Sequence, residues 1–89
     1  MDFEWDENKN SINNEKHGFD FNMAKLVFLD KNRVTFQDKR KDYGESRWVT
    51  IGKMNKIIIV VVFTIRNMII RIISARIANR KERKMYENH

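Results

Sequence analysis

The spacing of hydrophobic positions changes along this chain, and each change marks an element. Phe3 and Trp5 alternate with Asp2, Glu4 and Asp6, the period-two pattern of a short strand with one apolar face. Asp6 can cap a helix by accepting from the backbone N–H groups freed in its first turn. Glu7 to His17 is polar, with Ile12 as its only aliphatic side chain. A helix there gains little from burial and depends on its neighbours. Gly18 suits the left-handed residue that ends a helix. Asp20 caps a second helix, in which Phe21, Ala24, Val27 and Phe28 form an apolar face. Phe19 can staple its start against Ala24.

From Arg33 the period shortens. Val34 and Phe36 alternate with Arg33, Thr35 and Gln37, giving a short strand. Asp38 to Gly44, DKRKDYG, reads as a charged loop. Arg47 to Lys53 is another strand, with Trp48 and Thr50 on one face and Val49 and Ile51 on the other. After a short Met54-Asn55 connection comes Ile57 to Ile65, rich in β-branched residues whose stiff side chains suit a pleated surface. A turn at Arg66-Asn67 leads to Ile69–Ile73, which carries one charge, Arg71. These two runs read as antiparallel strands at the centre of a sheet. After Ser74 the pattern becomes helical. At about 100° per residue, Arg76, Arg80, Arg83 and Lys84 gather on one side, with Ala78 and Met85 on the other. The expected order is strand, two helices, four strands, basic helix. Short connections between consecutive strands imply an antiparallel meander, and so an α+β fold. No proline, repeat or low-complexity linker marks a boundary, so residues 1–89 read as a single domain.

Charge sharpens this picture. Met1 to Asp30 holds seven acids and three bases, a net of −4; Lys31 to His89 holds five acids and fifteen bases, a net of +10. Together they give the chain's +6. A basic second part points to a polyanion partner, most simply a nucleic acid, or to a solvated basic surface with no partner. The chain has no cysteine and its two histidines are isolated, so neither a thiolate nor a histidine metal cluster is expected. The acidic start, MDFEWDENKN, lacks the features of a signal peptide. The run at Ile57 is too short to span a bilayer. A cytoplasmic protein without membrane association is the expectation.

Several stretches resemble the BrnT toxins of bacterial toxin–antitoxin modules. They are FEWDENKN (Phe3–Asn10), KHGFDF (Lys16–Phe21), DYGESRW (Asp42–Trp48), VVVFTIR (Val60–Arg66) and RIISARIANRKERKMYE (Arg71–Glu87). The turn region Ile65-Arg66-Asn67-Met68 departs from the glycine- or aspartate-containing turn such proteins more often carry. The resemblance implies a RelE-like sheet-and-helix fold and RNA cleavage that arrests translation. It also implies a BrnA-like antitoxin with a ribbon-helix-helix part, and operator DNA bound only through the toxin–antitoxin complex.

Metal-independent RNA cleavage uses the substrate's own 2′-hydroxyl as nucleophile. It needs a proton acceptor, a proton donor and cations for the charge gathering on phosphorus. Arg71 and Arg76 are the candidate cations. Arg71 interrupts an apolar strand and needs a partner or an open cleft. Its structural alternatives are an ion pair with Glu4, Glu45 or another acid, or the solvent face of an outer strand. Arg76 stands where strand is expected to become helix, and its planar fork matches phosphate geometry. His17 is a candidate acid or base, against a plain role capping carbonyls at its helix end. Glu45 is a candidate base or an ordinary salt-bridge partner. Tyr43 can stack on a base or orient a phosphate, and Arg47 and Arg66 are further phosphate candidates. Tyr86 reads as partly buried with its hydroxyl outward. Arg80, Arg83 and Lys84 read as a docking row for RNA or the antitoxin, or as a solvated face. Trp5, Trp48 and Phe63 read as core. The candidate cleft lies between the central sheet and the last helix, with no cofactor or metal. The alternative is a non-catalytic module that binds nucleic acid or the antitoxin.

Overall fold

The order of elements follows the hydrophobic pattern closely. The computed structural model describes Met1–His89. It contains β1 (Phe3–Trp5), α1 (Glu7–His17) and α2 (Phe21–Ala24), which runs on into a 3-10 stretch at Lys25–Leu29. Then come β2 (Val34–Asp38), β3 (Arg47–Met54), β4 (Ile57–Arg66), β5 (Ile69–Ile77) and α3 (Arg80–Glu87). The five strands form one sheet in the order β1-β5-β4-β3-β2, so β4 is central. The last four make the expected antiparallel meander, while β1 adds to β5 in parallel. The fold is therefore α+β. No helix is long and apolar enough to cross a membrane.

Local chemistry sets the helix ends as expected. The Asp6 carboxylate accepts from the N–H groups of Asn8 at 2.8 Å and Lys9 at 3.2 Å. Gly18 takes the left-handed conformation, with φ 81°. Asp20 accepts from the Met23 N–H at 2.9 Å.

The sheet buries both faces. On one, Phe21, Ala24, Val27 and Phe28 pack against Ile59, Val61, Phe63 and Ile72. Phe3, Trp5 and Trp48 close the margins. On the other, a smaller cluster joins Val49, Ile51 and Val60 to Ala78 and to Tyr86 of α3. Burying one such side chain contributes roughly 1.5–3 kcal/mol, so α1, whose Ile12 is exposed, must be held otherwise. Asparagines hold it. Asn10 Oδ1 accepts from the Phe21 N–H at 2.7 Å. Buried Asn13 donates to the Phe19 carbonyl at 3.3 Å and accepts from the Ala75 N–H at 3.2 Å.

That Ala75 N–H is free for a reason. Val62 pairs with Ser74 but Phe63 pairs with Ile72, so Ile73 is the extra residue of a β-bulge. Beyond it β1 no longer pairs with β5, because its register stops at Ile72. Asn13 covers the exposed edge.

The final elements correct the sequence expectation. The chain does not turn helical after Ser74: β5 continues to Ile77, and α3 starts at Arg80. The reason is register. A two-residue hairpin fixes β5 against the ten-residue β4, and Val60 and Ile59 need partners, which are Arg76 and Ile77. Helix entry waits for Asn79, which forms a capping box with Glu82. The hairpin's central residues are Asn67 and Met68, both with positive φ (52° and 66°), as the twist of a two-residue turn demands.

Tyr86 also departs from expectation. It is buried, and its hydroxyl points inward to donate to Asp30 Oδ2 at 2.6 Å. Gly52 allows this approach: a Cβ there would lie 2.7 Å from Val27 Cγ2 and 3.2 Å from Asp30 Oδ2. Without a side chain at Gly52, the Asp30 loop sits against β3 and accepts the Lys53 N–H at 2.8 Å.

Candidate active site

The bulge decides which cations share a face. Arg71 and Arg76 are five positions apart, and in a regular strand an odd spacing sends two side chains to opposite faces. The extra residue at Ile73 cancels that. Arg71 pairs with Thr64, Ser74 with Val62 and Arg76 with Val60, and those β4 residues alternate along one face. Arg71 and Arg76 therefore stand on the same face, roughly 13 Å apart along the strand at about 3.3 Å per residue. It is the face on which α3 packs, opposite α1 and α2.

A polar row crosses this face at the Arg71 end. Glu4 pairs with Arg71 across β1 and β5, and Arg71 with Thr64 across β5 and β4. Arg47 precedes the Trp48–Phe63 pair and so falls beside Thr64, while Asp38 pairs with Arg47. Arg71 Nη1 lies 3.3 Å from Glu4 Oε2, a single contact in which both side chains keep solvent access. This is the first of the alternatives the sequence offered for Arg71.

Four further candidates meet beside it. Glu45 accepts from Arg66 Nε at 3.1 Å and Nη2 at 2.8 Å. Its other oxygen lies 3.7 Å from Arg47 Nε. That distance is too long for a hydrogen bond, and Arg47 Nε is buried without a partner. The Arg47 guanidinium stacks over the Tyr43 ring at 4.1 Å, a cation–π contact. The hydrogen bond from Arg66 holds the Glu45 carboxyl below the usual range, and Arg47 adds to this. Glu45 is thus ionised at neutral pH and a weak proton acceptor.

Arg76 stands at the other end. It forms a bidentate pair with Glu82, both contacts at 2.7 Å. Glu82 Oε1 also accepts the Asn79 N–H of the capping box at 2.9 Å. The hydrogen bonds with Glu82 raise the Arg76 pKa, and those same bonds lower that of Glu82. Beside this pair, between α3 and the end of β2, runs a depression of about 200 Å³. Val49, Val60 and Val62 form its floor, and Phe36, Asp38, Lys39, Arg40, Arg76 and Glu82 stand around it. Arg71 is not among the lining residues.

The remaining candidates lie apart. His17 lines a different depression with Lys9, Asn13, Lys16, Ile73 and Ser74, which shares no residue with the Arg76 groove. Arg80 and Lys84 are exposed on α3; Arg83 is also exposed but reaches back to donate to the Ala78 carbonyl at 3.0 Å. Two residues read only as part of a charged loop prove to be built into the site's edge. The buried Asp38 carboxylate accepts from Arg40 Nε and Nη2, each at 2.9 Å, and from the Tyr43 hydroxyl at 3.1 Å. Arg40 holds the Asp38 carboxyl far below the usual range. The available signal was the Asp-x-Arg spacing at the end of a strand, followed by a tyrosine.

No group of three or more His, Cys, Asp or Glu side chains is gathered as a metal site. No curated protein matches the chain. Residues 5–82 match a family described as the ribonuclease toxin, BrnT, of type II toxin–antitoxin systems. The matched span holds every candidate above except Arg83 and Lys84. The chain therefore belongs to the BrnT family of type II toxin–antitoxin ribonuclease toxins.

Proposed function

We propose that this chain cleaves RNA without a metal, by attack of the substrate's 2′-hydroxyl on the adjacent phosphate, and so arrests translation. The observation that carries this reading is the polar row on the α3 face, where Arg47 and Arg66 meet at Glu45 beside Tyr43 and Arg71 stands across Thr64 on the same face. A pentavalent phosphorane carries more negative charge than the phosphodiester it forms from. Fixed guanidinium donors therefore favour the transition state over the ground state.

Magnitudes rank the cations. A partly exposed ion pair contributes about 0.2–1 kcal/mol, so a phosphate can displace Glu4 from Arg71 at little cost. Arg47 is held against the Tyr43 ring and beside Glu45, and its Nε is buried, so it adds fixed positive charge rather than a free donor. Arg76 is held by two short bonds to a carboxylate that also caps α3, so it serves better as a fixed positive wall than as a group that swings onto substrate. Glu45 keeps Arg66 and Arg47 aimed, and its lowered pKa favours that role over proton abstraction. His17 remains the candidate acid or base whose use requires substrate to reach the α1 side of β5.

The proposed partner is a BrnA-like ribbon-helix-helix antitoxin, with operator DNA engaged only by the complex. Arg80 and Lys84 give it a cationic row on α3, where an acidic antitoxin segment would also block the groove. The whole chain acts as one toxin domain in the cytoplasm.

The test is incubation of purified protein with total RNA and a chelator, followed by end mapping. Products ending in 2′,3′-cyclic phosphate are expected. RNA left intact at high protein concentration contradicts the reading and favours a non-catalytic binding module.

A further inference from the structure

Phe36 stands out among the exposed hydrophobic side chains because of what surrounds it. It lies on the edge strand β2, paired with Val49, and is 40% exposed on the α3 face. It belongs to neither buried cluster. Its ring borders the groove floored by Val49, Val60 and Val62. Arg40, after the end of β2, and Arg76, on β5, both line that groove. Each guanidinium is bidentate to its own carboxylate, Asp38 or Glu82. A guanidinium has five N–H donors, so each keeps donors for a further anion. Lys39 brings the cations around the groove to three, against those two acids.

The groove also continues towards the polar row. A second depression, of about 520 Å³, shares Gln37, Asp38 and Lys39 with it and runs past Lys41 and Tyr43 to Glu45. An apolar floor, an exposed aromatic ring and flanking cations suit one occupant chemically: an unpaired nucleotide. Its base would stack on the ring and its phosphate would meet the guanidinium donors. A duplex cannot offer a base face to a ring set in a groove of this size.

We propose that Phe36 is a stacking platform for one unpaired base of the RNA substrate, with Arg40 and Arg76 as phosphate clamps, and that the strand continues from there past Tyr43 to the Arg47–Arg66–Arg71 cluster. This deepens the ribonuclease reading and rests on it. It assigns to β2 and the loop after it the choice of single-stranded over paired RNA.

The test uses a single-stranded 2′-O-methyl oligoadenylate, which lacks the nucleophile and so binds without being cut, together with total RNA for cleavage. Phe36→Ala should weaken oligoadenylate binding roughly ten- to a hundredfold, the usual loss for one stacked base. Phe36→Trp should restore affinity and show indole fluorescence quenched on binding. Arg40→Gln should lower the log–log salt slope of binding by about 0.7, the value for one phosphate contact on a single strand. Wild-type cleavage with unchanged binding by Phe36→Ala overturns this inference and leaves the ribonuclease reading intact. Wild-type protein that neither binds oligoadenylate nor cuts RNA overturns both. Phe36→Trp protects against misreading a folding defect: weak binding by Phe36→Ala counts for stacking only when the tryptophan variant binds.

Discussion

At the scale of single residues, the most consequential contact outside the candidate site is Tyr86 with Asp30. The two are 56 positions apart, which is why the sequence reading left the Tyr86 hydroxyl in solvent. Burial would raise the Asp30 pKa, but hydrogen bonds from Tyr86 and from the Lys53 and Asn32 N–H groups outweigh it, and the net shift is downward. The same hydrogen bond to Asp30, with burial, pushes the Tyr86 hydroxyl up to about 12. Both shifts have stability consequences. A lowered carboxyl contributes stability above its ordinary pKa of 3.8 and loses it as pH falls through the folded value. A raised phenol contributes fully below its ordinary pKa of 10.0 and loses it as pH rises towards about 12. Tyr86→Phe should therefore cost roughly 1.5 kcal/mol at neutral pH, the low end for a hydrogen bond to a charged group, because Asp30 keeps two backbone donors. Urea titrations across pH should show the gap between wild type and variant closing at both extremes. A gap that widens in acid contradicts the pairing. Met68 presents a different residue-scale feature: a non-glycine side chain, 93% exposed, held at φ 66° by the hairpin.

At the scale of elements, the bulge in β5 and its asparagine partner join fold to site. Without Ile73 as the extra residue, Arg71 and Arg76 would lie on opposite faces of the sheet. Asn13 covers the β5 edge left open where β1 ends, bonding Ala75 and Phe19 from a helix with almost no apolar surface of its own. Asn13→Ala leaves a buried N–H and a buried C=O unpaired, at about 1–3 kcal/mol for each such group. A total loss of about 2–3 kcal/mol is expected, seen as a lower urea midpoint at unchanged slope. Equal stability of wild type and Asn13→Ala would mean that α1 is held by something else. These elements also show what a sequence discloses. Asp6, Gly18 and Asp20 act within a few residues of themselves, so their capping roles were legible. Trp48 and Thr50 against Val49 and Ile51 follow from strict alternation. The bulge, the parallel seat of β1 beside β5 and the extension of β5 to Ile77 depend on which strand lies alongside, and local pattern carries no such information.

At the scale of the whole molecule, the division of charge gains a spatial meaning. The acidic first part supplies β1 and the helix layer, and its Glu4 neutralises Arg71 at the sheet's edge. The basic second part supplies the open face and α3. The sequence singled out Arg71, Arg76, Arg47, Arg66, Glu45 and Tyr43, which folding places on or beside that face, and His17, which it places in a separate depression beside α1. It did not show that Arg76 and Arg71 stand at opposite ends, nor that Arg40 and Asp38 wall the groove between β2 and α3, since those depend on strand order. Arg71 is the cation most readily freed for substrate, and the proposed chemistry relies on it. The most direct test compares single-turnover RNA cleavage and RNA affinity for wild type and Arg71→Ala in the same buffer. Cleavage should fall about 10²–10³-fold, as when one transition-state donor is removed, while affinity changes only a few-fold. Cleavage by Arg71→Ala at the wild-type rate would contradict the assignment of Arg71 to the reacting phosphate.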